Sequence, residues 1–250
     1  MIPTRKIATR EIGTGESRSH RVGFRRRFLR AFLIALIACP ALFWTPPSRA
    51  AEPATVTFSL DFPKSDPEHY SIAVQSDGRA HYECSGRISA DSDDRETYQT
   101  EFTFSDANRA RIFDLAAQAH YFSGKVDSGN RKLAFTGAKK LVYKDGQRES
   151  AGAYNFSLQP AVQQLTALFQ SVSATLEFGR RLAYYHRYQK LALDDELKRM
   201  EDQARRADLI EVQAIKPILQ EIYEDGSVMN VVRARAQRIM EMSSLNPAGH

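Results

Sequence analysis

What most limits the folds open to this chain is a change of hydrophobic period at Ser157. Before it, apolar residues recur at every second position; beyond it they recur at every third or fourth. In 54–62, Val56, Phe58, Leu60 and Phe62 alternate with Thr55, Thr57, Ser59 and Asp61, the pattern of a strand with one buried side. Two prolines break the chain, and Tyr70, Ile72 and Val74 begin a second strand. It turns at the SDG of 76–78 into a return strand carrying Ala80, Tyr82 and Cys84. Tyr98, Phe102 and Phe104 mark a further strand. Ser105 is then placed to cap a helix over 106–121, with Ile112, Leu115, Ala116, Ala119 and Phe122 on one stripe. Residues 123–138 lack either period and read as a functional or mobile loop. Residues 139–143 and 147–156 read as a closing hairpin around the KDG turn.

Beyond Ser157, Leu158, Val162, Leu165, Phe169, Val172 and Leu176 form a helical seam that Gly179 is expected to interrupt. Three shorter helices are expected over 194–206, 208–223 and 227–242. The fold class is therefore α+β: a small antiparallel sheet with one packed helix over 51–156, then an all-helical segment over 157–250.

Residues 1–50 have a separate character. They hold ten Lys/Arg against two Asp/Glu, whereas the remaining 200 residues hold 25 against 28. The formal net charge of +5 thus belongs to the leader and gives no reason to expect a nucleic-acid partner for the body. A basic stretch to Arg30, a short apolar run over 31–44 and small residues at Ser48 and Ala50 predict an export signal cleaved after Ala50. Arg25-Arg26-Arg27-Phe28-Leu29-Arg30 leaves both a general and a twin-arginine export route open. Leu36-Ile37-Ala38-Cys39 also looks like a lipobox, but the apolar stretch that follows argues against lipidation. The expectation is a periplasmic or secreted protein that touches membrane only through the N-terminal segment, if that is uncleaved or lipidated at Cys39. Cleavage leaves Cys84 without an intramolecular partner, and it is expected as a small buried hydrophobe.

Two resemblances follow. Ile215, Pro217, Ile218, Leu219 and Ile222, then Asp225, then Val228, Val232, Arg233, Ala236 and Ile239 resemble one HEAT-type helical repeat. Such a repeat implies packing on preceding helices. The stretches SDPEHYSIAVQSDGRAHYE (65–83), RARIFDLAAQAHYFSGKVDSGNRKLAFTGAKKL (109–141) and LEFGRRLAYYHRYQKLALDDELKRM (176–200) resemble a group of exported bacterial proteins of unknown function. That resemblance covers most of 55–242 and implies one contiguous unit; it brings no activity and no site residues.

No catalytic motif or cofactor fingerprint is present, and the histidines lack the spacing of a zinc helix, so no cofactor and no metal are expected. Asp91, Asp93, Asp94 and Glu96 lack the spacing of a calcium loop. Ser128 or Cys84 with His120 are the only, weak, nucleophile readings. Two stretches read instead as interaction surfaces. One is Arg180, Arg181, Tyr184, Tyr185, Arg187 and Tyr188, where aromatic and guanidinium groups interleave. The other is the basic loop with Lys125, Arg131, Lys132, Lys139 and Lys140 against the single acid Asp127. The expected role is a non-catalytic binding or scaffolding protein whose partner is another envelope protein or an anionic polymer. The alternatives are a periplasmic hydrolase or carbohydrate-active protein, and a small-ligand or inhibitor-like module using Tyr98 or Tyr154 on an exposed sheet face.

Overall fold

The computed structural model describes residues 52–63, 65–87 and 95–245. The predicted export segment, the acids Asp91, Asp93 and Asp94 and the C-terminal five residues lie outside them. The described residues form one compact unit.

Strict alternation produces the strands it predicts. β1 (Thr55–Asp61), β2 (His69–Gln75), β3 (Arg79–Arg87), β4 (Arg95–Thr103), β5 (Ala138–Lys144) and β6 (Glu149–Tyr154) form one antiparallel sheet in the order β4-β3-β2-β1-β5-β6. Register fixes its two faces. Phe58 pairs with Ile72 and Leu141, and Ile72 pairs with Tyr82, so one row of large side chains runs across four strands. The parallel row on the opposite face is Glu83, Ser71, Ser59 and Lys140, and it faces water.

The buried face is covered by α1 (Asp106–Gln118) and α2 (Pro160–Tyr188). Ser105 caps α1 as expected, its hydroxyl accepting from the Asn108 amide. The helix stops at Gln118 because His120, Tyr121 and Phe122 all take positive φ, between 50° and 64°. That turn drops Phe122 fully into the core and sends the chain back toward β5. α2 lays Phe169 parallel to Phe58, with ring centroids 5.3 Å apart.

The expected break at Gly179 is absent, and α2 runs straight through it. Glycine serves packing there. A Cβ at this position would sit 2.4 Å from Ile215 Cγ2, so its absence lets the final helical hairpin close on α2. That region consists of α3 (Leu193–Arg205), α4 (Lys216–Glu224) and α5 (Asn230–Leu245), packed on one another. Asp208 and Leu209 are not helical, because a 3-10 turn at Val212–Ile215 leads into α4 instead. Leu158, expected at the head of the seam, lies before α2 and is 73% exposed, whereas Val162, Leu165, Phe169, Val172 and Leu176 are buried.

Helix propensity alone makes Gly179→Ala stabilising by up to about 1 kcal/mol. The Ile215 contact reverses that sign, so Gly179→Ala should destabilise by about 1–3 kcal/mol in denaturant melts.

Candidate functional site

The interleaved Arg and Tyr stretch lies on the last turns of α2, and its side chains diverge. Arg180 is buried at 5% exposure. Its Nε and Nη2 donate to Glu177 Oε2 at 3.0 and 2.7 Å, and Nη2 also reaches the Arg87 carbonyl at 2.8 Å. Glu177 is likewise buried; its other oxygen accepts from the Tyr82 hydroxyl at 2.8 Å and the Cys84 thiol at 3.1 Å. Burial works against the Arg180 charge, and the Glu177 carboxylate more than offsets it. Arg181 turns away to Glu196 Oε1 on α3 at 2.7 Å, and Tyr185 is buried. Tyr184 is half-buried, leaving Arg187 and Tyr188 as the exposed members of the set. The stretch therefore joins sheet to helices more than it faces a partner.

Burial first, then the Glu177 carboxylate, pushes the Cys84 thiol up to about 12, which keeps it protonated. Its role as a buried small residue is as expected, with a hydrogen bond added. Tyr98 and Tyr154 belong to the helix-covered face: Tyr98 pairs with Cys84, and Tyr154 is buried beside α2. An inhibitor-like module using them on an open sheet face is not what the register builds.

The basic loop, residues 123–137, is tied down as a strap. Val126 is buried against Gly152, where a Cβ would fall 2.3 Å from Val126 Cγ2. Ser128 N–H donates to the Phe156 carbonyl at 2.8 Å, and Ser157 Oγ donates to the Val126 carbonyl at 2.7 Å. Asp127 accepts from the backbone amides of Gly129 at 2.6 Å and Asn155 at 2.8 Å, and those bonds hold its carboxyl below the usual range. Asn155 brackets Phe135: its Nδ2 donates to the Ala134 carbonyl at 2.9 Å, and its Oδ1 accepts from the Thr136 amide at 2.9 Å.

Lys139 separates from the other cations of the loop. It is 5% exposed, and its ammonium donates to the carbonyls of Thr136, Gly137 and Asn155 at 2.9, 3.3 and 3.0 Å. No described carboxylate forms an ion pair with it, and burial lowers its pKa. Lys125, Arg131, Lys132 and Lys140 are exposed.

Between this strap and α2 lies a groove of about 390 Å³, walled by Lys139, Tyr154, Phe156, Gln163, Thr166 and Ala167. Thr166 donates to the Val162 carbonyl at 2.7 Å, so the Tyr154 hydroxyl, 2.6 Å away, is the donor to Thr166. The Tyr154 oxygen therefore keeps acceptor capacity, and burial pushes its pKa up to about 12, so it stays a neutral phenol. The groove thus combines an aromatic rim, amides and hydroxyls, and the nearby fixed positive charge of Lys139. Its volume suits an extended chain or a small ligand. Among the described residues no cluster of His, Cys, Asp or Glu is disposed to hold a metal ion, and no helix is long and apolar enough to cross a membrane.

Reading the sequence picked out Lys139 only as one of five loop cations, and it missed Glu177, Glu196, Glu211 and Asn155. Glu177 had a signal: with Ser173 and Arg180 it makes an i, i+4, i+7 polar stripe inside a buried helix. The chain matches no family model, and no curated protein matches it.

Cys84 should resist iodoacetamide at neutral pH in the native protein and react once denatured. Because its folded pKa of about 12 exceeds the ordinary 9.0, its contribution to stability is complete below about pH 9 and is lost as pH climbs toward 12. Thermal melts across that window should show a falling midpoint, with a shallower fall in Cys84→Ala.

Proposed function

We propose that this chain is an exported, non-catalytic binding or scaffolding protein of the bacterial envelope, and that the groove beside Lys139 is where it engages its partner. The observation that carries this reading is the state of the groove walls. Strap, turn and helix are held in place by the protein's own hydrogen bonds before any partner arrives. Preorganised walls lower the cost of ordering on association. The ionisable groups of the groove support holding a partner: Lys139 has its protons on carbonyls and Tyr154 stays neutral. The predicted export signal supports a partner in the envelope. The partner is another envelope protein or an anionic polymer, and the positive strap favours acidic surfaces.

Ala167 is exposed on α2 and lines the groove, so a long side chain there obstructs it without touching the core. Crosslinked pull-down from an envelope extract should recover a specific partner with the native chain. Ala167→Arg should reduce recovery by at least about tenfold, the equivalent of about 1.4 kcal/mol, while leaving the melting midpoint in place. Equal recovery by Ala167→Arg would remove the groove from the account.

A further inference from the structure

Eight large hydrophobic side chains are exposed among the described residues; four of them lie on the strap and on the turn before α2, and one of these, Phe156, lines the groove. Leu133 and Phe135 lie on the strap, at 40% and 57% exposure; Phe156 and Leu158 lie on the turn before α2, at 41% and 73%. Hydrogen bonds lace the strap to the turn, so the two segments that carry the four run side by side. Phe135 stands edge-on to Phe62, with ring centroids 5.9 Å apart, which fixes its ring. Burial does not require this exposure, because the core is closed beneath by Val126, Phe122 and Tyr154. Exposed apolar side chains grouped on adjoining segments mark contact surfaces.

Two further features select the surface. The first is charge: Lys125, Arg131 and Lys132 are exposed on the same strap and make no ion pair with a described residue, while the strap's acid, Asp127, is taken up by backbone amides. The second is the backbone. The Lys132 amide donates to Asn130 Oδ1 at 3.0 Å and the Leu133 amide to the Asn130 carbonyl at 3.3 Å. The Ala134 carbonyl and the Thr136 amide are held by Asn155, and the Thr136 and Gly137 carbonyls by Lys139. A loop entering hydrocarbon must bring its backbone polar groups already satisfied, since lipid offers them nothing. These six backbone groups are satisfied in advance, whereas a protein partner could supply hydrogen bonds of its own.

We propose that this face docks on an anionic lipid surface. Leu133, Phe135, Phe156 and Leu158 enter the boundary between headgroups and acyl chains, and Lys125, Arg131 and Lys132 meet lipid phosphates. Long basic side chains at this depth keep their charges among the headgroups while their stems lie along apolar surface. The inference rests on the reading of this chain as a binding protein of the envelope and adds a lipid contact beside the groove that holds its protein or polymer partner.

Flotation of the full chain with phosphatidylcholine vesicles, with and without phosphatidylglycerol, tests it. The N-terminal segment is present in every arm, so its contribution is common to wild type and variants. Wild type should float with the phosphatidylglycerol vesicles. Phe135→Ser with Leu158→Ser should reduce the bound fraction at least about tenfold, in line with the loss of two buried apolar side chains. Arg131→Gln with Lys132→Gln should reduce binding only where phosphatidylglycerol is present, and added salt should do the same. The Arg131 and Lys132 variant should keep the wild-type melting midpoint, and the Phe135 and Leu158 variant should stay folded with the loss of only the Phe62 contact. Flotation of the variants equal to wild type would overturn the proposal by placing lipid binding elsewhere. So would failure of wild type to float while it binds soluble polygalacturonate, which assigns this face to a polymer and leaves the binding reading standing.

Discussion

The structure depends on one buried carboxylate. Glu177 projects from the middle of α2 toward the sheet and gathers donors from two elements: the Tyr82 hydroxyl and Cys84 thiol of β3, and the Arg180 guanidinium of its own helix. Arg180 passes the connection to the Arg87 carbonyl at the end of β3, and Arg181 carries it outward to Glu196 on α3. A carboxylate without these donors is costly to bury, and so is the guanidinium without the carboxylate. The pair therefore fixes the rotation and height of α2 over β3, which dispersion alone does weakly. Glu211 repeats the device elsewhere. It reaches from the turn before α4 to the Ser105 amide and hydroxyl at 3.0 and 2.7 Å and to Asn108 Nδ2 at 2.7 Å, tying the helical region to the start of α1.

The same helix links this latch to the proposed binding face. Gln163, Thr166 and Ala167 wall the groove from the N-terminal half of α2, and Glu177 holds the C-terminal half against the sheet. A helix anchored on the sheet through Phe169 and Glu177 presents a wall that does not need to be ordered on binding. Asn155 and Lys139 do for the opposite wall what Glu177 does for the helix, by occupying carbonyls and amides that the irregular strap cannot pair within itself. The exposed apolar side chains then sit on a fixed support.

The sheet was legible because its register is written in alternation: Val56, Phe58 and Leu60 can face only one way, and the partners opposite them obey the same rule. The α+β class followed from the change of period at Ser157. What was not legible depended on contacts far apart in sequence. Gly179 read as a break because propensity is local, while its reason for being glycine is Ile215 in another element. The Arg and Tyr stretch read as a surface because charge usually means solvent. Arg180 is held inside by Glu177, three residues back on the same helix, and Arg181 by Glu196 on α3, a partner that no spacing in the chain pairs with it in advance. The strap read as functional or mobile because it has no period, yet its order comes from side chains, Asn155 and Ser157, some twenty to thirty residues away. Leu158 kept the seam's spacing but falls ahead of Pro160, where the helix begins.

The central claim, that Glu177 and Arg180 act as one latch between helix and sheet, is tested most directly by a double-mutant cycle in urea. Glu177→Leu and Arg180→Met should each cost about 3–5 kcal/mol, because each strips a buried partner of its nearest opposite charge. The double variant should cost no more than either single, giving a coupling energy of about 3 kcal/mol or more. Additive losses in the double variant would mean that the two residues stabilise the fold independently, and the account of the latch would be wrong.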